Sequence, residues 1–278
     1  MPDLRAMGFG RSPSQHPHLY PGTRGPGSYL LIGGWPYPAT TTKDANVDDW
    51  TIDGNQGPVP PELSSLDATL SALGAATMAY RHAIVAVGSN AAPGQLLHKY
   101  RADVHNTIIP ITRAKVHGLA VAHSGHVSIP GYVPYVPTLT RAAHPIRLDI
   151  LWLDDKQLRR MDETEPNYQR IHVPTTAATA ELESDTTLTS FQVYRGRWGL
   201  LRTAADAPPL AATSQEGAYS TLAMHRWFRG LVPEFLEGGT EAAARALAQD
   251  QRRRDEIRYE LAARNLTAAD QLSTDGTR

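Results

Sequence analysis

The chain has 278 residues, and its 27 lysines and arginines against 28 aspartates and glutamates leave a formal net charge of −1 at pH 7. That balance gives no global positive field and argues against nucleic acid as an obligate partner. The absence of cysteine excludes disulfides, thiolate nucleophiles and cysteine-ligated zinc or iron–sulfur sites. No apolar run reaches the roughly 18 residues of a membrane span, and "MPDLRAMGFGRSPSQHPHLYPG" lacks the apolar core of a signal peptide. The expectation is a soluble cytoplasmic protein with no membrane partner.

Residues 1–27 mix Pro, Gly, His and Ser without periodicity and are expected to form a poorly packed tail. "SYLLIGGWPYPATTT" (28–42) predicts a short strand over 29–32, ended by Gly33 and Gly34. The stretch to "GNQGPVPPE" (54–62) reads as loop, so 1–60 is expected to be loose, or wrapped over a core instead of forming its own domain. In "SSLDATLSALGAATMAYRH", Ser64 and Asp67 make a weak capping box, and Leu66, Leu70 and Leu73 share one helical face, ended at Gly74. "HAIVAV" (82–87) is continuously apolar and suits a strand buried on both faces. "AAPGQLLHKYR" predicts a helix with Pro93 in its first turn and a stripe of Leu96, Leu97 and Tyr100.

Further strands are predicted in 107–123, 146–153 and 186–196, with "SIPGYVPYVPTLTRAAHP" as a proline-punctuated loop between the first two. The C-terminal third is helical. A Thr213/Glu216 capping box opens one helix, and "TEAAARALAQDQRRRDEIRYELAARNL" reads as one long helix. Strands mixed with short helices point to an α+β fold, a small mixed β-barrel with peripheral helices. The chain divides into a loose 1–60, a core at 61–205 and a helical extension at 206–278.

Two stretches carry the chemistry. "IVAVGSNAAPG" (84–94) is a strand that stops at three small residues. Gly88 would let a ligand approach the backbone, and the amides of the following helix would favour a carboxylate or oxyanion. The bland alternative is an ordinary strand–turn–helix junction. Phosphate-loop and dinucleotide patterns are absent.

The second stretch is "LDDKQLRRMDETEPNYQRIHV" (153–173). Asp154 and Gln157 resemble a helix cap, and Leu158 and Met161 mark the buried face. Glu165, seven residues after Leu158, returns to that face if the helix lasts that far, and Pro166 places it at the helix end. Glu163 lies about 140° from Leu158 and should face water. A glutamate among apolar groups has the proton affinity of a general base. The alternatives are a cap or an ion pair with Arg170.

Together, Gly88-Ser89-Asn90 and the downstream "DETEPNYQR" resemble the gamma-glutamylcyclotransferase-like superfamily over roughly residues 82–200. The resemblance implies that superfamily's small mixed barrel, with Glu165 as catalytic base. Val87, Gly88, Ser89 and Asn90 would form the turn that binds the substrate's glutamyl head, with Tyr168 and Arg170 as the trailing pair. Val87 stands where that family has tyrosine, and Pro166 where it usually has glycine. The implied reaction releases 5-oxoproline and a free amine from a γ-glutamyl amide, with no cofactor and no metal.

His117, His123 and His126 cluster in "VHGLAVAHSGHVS". Strand alternation sends His123 and His126 to opposite faces, though a turn at Ser124–Gly125 could bring them together. A pocket-lining role for either outweighs metal ligation, because the segment precedes a loop that could cover a site. Ser89 lacks a nucleophile elbow, and "DQRRRDEIR" reads as a solvated helix face. The competing reading is a non-catalytic binding or interaction protein on the same fold. The sequence leaves the oligomeric state open.

Overall fold

The computed structural model describes residue 4 and residues 6–53 and 65–272. Strand β1 (Tyr29–Ile32) turns through Gly33 and Gly34, at φ 54° and 98°, into β2 (Trp35–Thr40), and β3 (Thr51–Ile52) joins β2. Both turn residues need the left-handed backbone that glycine adopts without cost. Helix α1 (Leu66–Ala72) is capped by Ser65, whose hydroxyl accepts from the Ala68 amide at 3.2 Å. The expected cap, Ser64, lies outside the described residues. Strand β4 (His82–Ala86) and helix α2 (Pro93–Lys99) follow.

The predicted strand region 107–123 is two strands, β5 (Ile108–His117) and β6 (Leu119–His123), broken at Gly118 (φ 81°). The proline-rich stretch read as loop contains β7 (Tyr135–Leu139), which pairs with β6 alone. Pro137 is tolerated there because an edge strand need not donate on both sides. Next come β8 (Ile146–Leu153), α3 (Asp155–Glu163), β9 (Tyr168–Val173), β10 (Thr179–Leu182) and β11 (Thr187–Leu188). They are followed by β12 (Phe191–Gly196) and β13 (Leu200–Leu201).

The C-terminal third holds α4 (Gln215–Ala223), α5 (Arg226–Leu231), α6 (Glu234–Gln249), α7 (Gln251–Ala263) and a short β14 (Thr267–Ala268). Ser214, not Thr213, caps α4. The expected single long helix is broken at Asp250. That residue leaves helical geometry and its carboxylate accepts from the Arg253 amide at 3.0 Å, opening α7.

The fold is mixed α+β. Its main sheet runs β3-β2-β1-β5-β8-β4-β12-β9, with β10 and β11 branching from β5. The barrel expected from the sequence is not closed, because closure needs the end strands to pair and β3 and β9 do not. The ten-residue β5 divides one edge between partners: Ile108–Ile111 pair with β1, and Ala114–His117 with β10. The sheet therefore forks.

Alternation along the strands builds two cores. Leu30, Val85, Val87, Ile150 and Trp152 face one side with α1. Tyr29, Leu31, Ile84, Ala86 and Leu151 face the other, under α2 and α3. A third apolar cluster joins α4–α7 to Val127, Val133 and Leu201.

The N-terminal segment is not loose over its described part. Leu4 is fully buried, Ser12 and Tyr20 nearly so, and 29–52 supplies three strands of the main sheet. The segment lacks periodicity because it is buried piecewise, against α2, α4 and α6, and not along one face. Residues 54–60 of the expected loop lie outside the described residues.

Candidate functional site

The parallel pairing of β4 with β12 decides where the two motifs meet. Val85 lies opposite Val193, so both strands exit at the same end of the sheet. Antiparallel β9 enters there, with Tyr168 opposite Gly196. The turn after β4 and the segment before β9 thus face each other, though some 75 residues separate them in the chain.

They enclose a cavity of about 400 Å³. Gly88, Ser89 and Asn90 form one wall, and Glu165, Pro166 and Tyr168 another. Val87 contributes to the wall while packing in the core beneath. The turn itself is a single 3₁₀ turn, Ser89–Ala91, leading through Ala92 into α2.

Glu165 sits just beyond α3. Its amide donates to the Asp162 carbonyl at 3.1 Å, and its own carbonyl accepts from Tyr168 at 3.0 Å. Its side chain lines the cavity although the helix ends before it, and its surroundings are not apolar. Asn90 Nδ2 donates to Oε1 at 2.9 Å, and Lys99 Nζ donates to the same oxygen at 2.5 Å. The Lys99 and Glu165 side chains are 5% and 13% exposed. The isolated carboxylate expected from the sequence is therefore half of a buried ion pair. Oε2 has no hydrogen bond among the described residues, and Asn90 Oδ1 is buried without a partner. Both residues line the one cavity.

Arg170 does not reach Glu165. It binds Asp162 in two parallel bonds of 2.9 and 3.0 Å, and Tyr194 donates to the same carboxylate at 2.7 Å. Burial opposes the Asp162 charge, but the bonds from Arg170 and Tyr194 outweigh it and hold the carboxyl below its usual range. Glu163 is exposed and pairs with Arg160 at 3.1 Å, as its phase predicts.

The two histidines part company. His126 lines the cavity. Its Nδ1 is 2.7 Å from Ser124 Oγ, and its buried Nε2 lacks a partner. Burial, and then Arg258, push its pKa down to about 3. His123 lies outside the cavity wall. Its ring spans the Val133 and Thr213 backbone at 3.2 Å on each side. Burial lowers it to about 4. Its expected ligand contact is thus replaced by a structural one, because β6 turns it toward the loop before α4.

Several wall residues were not singled out from sequence. Lys99 stands three residues after Leu96, on the buried stripe of α2, and that phase was its only signal. Tyr20 and Tyr132 stack at 4.2 Å, with Tyr135 edge-on to Tyr20 at 5.1 Å. Burial pushes the Tyr20, Tyr132 and Tyr168 phenols up, and nearby Glu165 adds to this, so all three are neutral donors. Among the described residues, no group of three or more His, Asp or Glu side chains is placed to hold a metal ion. No helix there is long and apolar enough to cross a membrane.

No family model matches the chain, and no curated protein matches it. Among solved structures, the solution structure of a protein from Arabidopsis thaliana is similar, with 14% identity and a TM-score of 0.30. The likeness covers 42% of this chain and 62% of that one.

Proposed function

We propose that the cavity binds a γ-glutamyl amide and cyclises it, with Glu165 moving the proton. The observation that carries this reading is the meeting of Asn90 and Glu165, from the two stretches that resemble the gamma-glutamylcyclotransferase-like superfamily, at 2.9 Å in one cavity. Glu165 Oε2, which has no hydrogen bond among the described residues, is an acceptor for the N–H groups of an α-amine. In such a substrate the nucleophile is already tethered to the electrophile, so folding the chain supplies most of the proximity.

The α-amine nitrogen attacks the γ-carbonyl carbon as Glu165 takes its proton. The γ C–N bond then breaks, and the proton goes to the leaving amine. The neutral phenols around the cavity offer donors to the oxyanion. The products are 5-oxoproline and a free amine.

A screen of γ-glutamyl amines and dipeptides for 5-oxoproline release tests the reading. Turnover in Glu165→Gln should fall about 10²–10⁴-fold, the usual loss for a positioned proton-transfer group. The exposed Glu163→Gln should stay near the parent. No release from any member of the panel would remove the reaction.

The Lys99–Glu165 pair favours a second reading, a binding protein without turnover. A carboxylate already neutralised at 2.5 Å needs no substrate cation. On that reading, γ-glutamyl compounds bind and are recovered intact.

A further inference from the structure

The cavity has a wall that neither motif supplies. The N-terminal arm, residues 9–22, supplies it. Gln95 on α2 holds the arm at three points. Its Oε1 accepts from the Ser12 hydroxyl at 2.6 Å and from the Ser14 amide at 3.2 Å, and its Nε2 donates to the Ser14 hydroxyl at 2.8 Å. Gly94 lets the arm lie flat on α2, since a Cβ there would stand 2.7 Å from the Phe9 and Arg11 carbonyl oxygens. The 3₁₀ turn Pro17–Leu19 packs against α4 and α6. This delivers Ser14 and Tyr20 into the cavity wall.

Tyr20 is 5% exposed, and its hydroxyl occupies the space that a Cβ on Gly88 would fill. The hydroxyl oxygen accepts from the Tyr135 amide at 2.7 Å. Its own proton has no acceptor among the described residues. A buried O–H left undonated costs free energy, and a ligand oxygen in the cavity would recover it. Stacking on Tyr132 fixes the ring, so the position of the hydroxyl oxygen is set before any ligand arrives.

We propose that the N-terminal arm completes this site and that Tyr20 is a ligand-binding residue, donating its hydroxyl proton to a ligand carboxylate or carbonyl oxygen in the cavity beside it. The proposal takes from the functional reading only that the cavity receives a ligand, and it does not depend on cyclisation.

The test measures binding of glutarate, 5-oxo-L-proline and butylamine to the full chain by calorimetry, beside 5-oxoproline release. Tyr20→Phe keeps the ring and removes the donor, together with the acceptor of the Tyr135 amide. It should weaken glutarate and 5-oxoproline about ten-fold, one hydrogen bond's worth, and leave butylamine unchanged. Gln95→Ala releases the arm from α2, and should weaken the same two acids while speeding tryptic cleavage at Arg11.

Parental affinity in Tyr20→Phe overturns the proposal, as does parental affinity in Gln95→Ala once the arm is cleaved faster. Failure of the parent to bind either acid also overturns it, making the arm a plug. Acid binding that depends on Tyr20, in a parent that releases no 5-oxoproline, removes the cyclisation and leaves the arm's role standing. Parental turnover and parental acid affinity in Tyr20→Phe do the reverse.

Discussion

A buried imidazole is harder to charge than one in water, and His123 and His126 carry that cost for different ends. His123 spans two backbone segments, and His126 presents an unpaired nitrogen beside the cavity. Their folded pKa values, about 4 and about 3, lie below the ordinary 6.5. Below pH 6.5 the unfolded chain therefore binds protons that the folded chain refuses. Stability is full above that pH and falls as pH drops, by about 1.4 kcal/mol per pH unit for each histidine, until the folded values are reached. The urea midpoint should drop steeply between pH 6.5 and 4, and more gently in His126→Gln. A parental midpoint that is flat from pH 7 to 5 would contradict the burial argument.

The loop from Ser124 to Pro134 shows how an element far from the turn holds the cavity. His126, Ser128 and Tyr132 line the cavity, while Val127 and Val133 point into the helical cluster. Gly131 is the point of closest approach. It sits at φ 98°, and a Cβ there would overlap the Ala244 carbonyl oxygen on α6. The left-handed backbone alone should cost Gly131→Ala about 1–2 kcal/mol, before α6 is displaced. The melting temperature should fall, and ligand affinity should fall with it because Tyr132 moves. A variant that melts lower yet binds like the parent would separate the loop from the site. Gln215 reinforces this coupling at the start of α4, bonding both the amide and the carbonyl of Val133 at 2.8 Å.

At the scale of the whole molecule, the site draws on three stretches that the sequence presents as separate. The sheet brings the turn to Glu165, the arm lays Tyr20 over Gly88, and the C-terminal helices support the Ser124–Pro134 loop. A chain ending at residue 205 would uncover Val127, Val133 and Leu201 and remove the Thr213 partner of His123. It should show weak near-ultraviolet circular dichroism, elute as aggregates and bind none of the probes. A truncated chain that unfolds cooperatively near the parental melting temperature would make the helices a separate appendage.

Local order was legible wherever one short run of residues contains its own physics. β1 and β8 fall on the predicted 29–32 and 146–153 because apolar and β-branched residues there meet turn-formers at both ends. The outward phase of Glu163 follows from helical spacing counted from Leu158, whereas α3 stops before Glu165, whose direction is set by the turn into β9. What the sequence could not supply was partnership at long range. The open, forked sheet depends on β5 sharing an edge between β1 and β10, a pairing that no local pattern encodes. Lys99 becomes the ion partner of Glu165, and Arg170 that of Asp162, only when β4, α2, α3 and β9 share one end of the sheet. The arm read as loose because burial by scattered contacts leaves no periodicity. Tyr20 is fixed by Tyr132 and Tyr135, more than a hundred residues away. Sequence spacing sets which way a side chain leaves its own element. Which groups it then meets is set by backbone pairing and packing between distant segments.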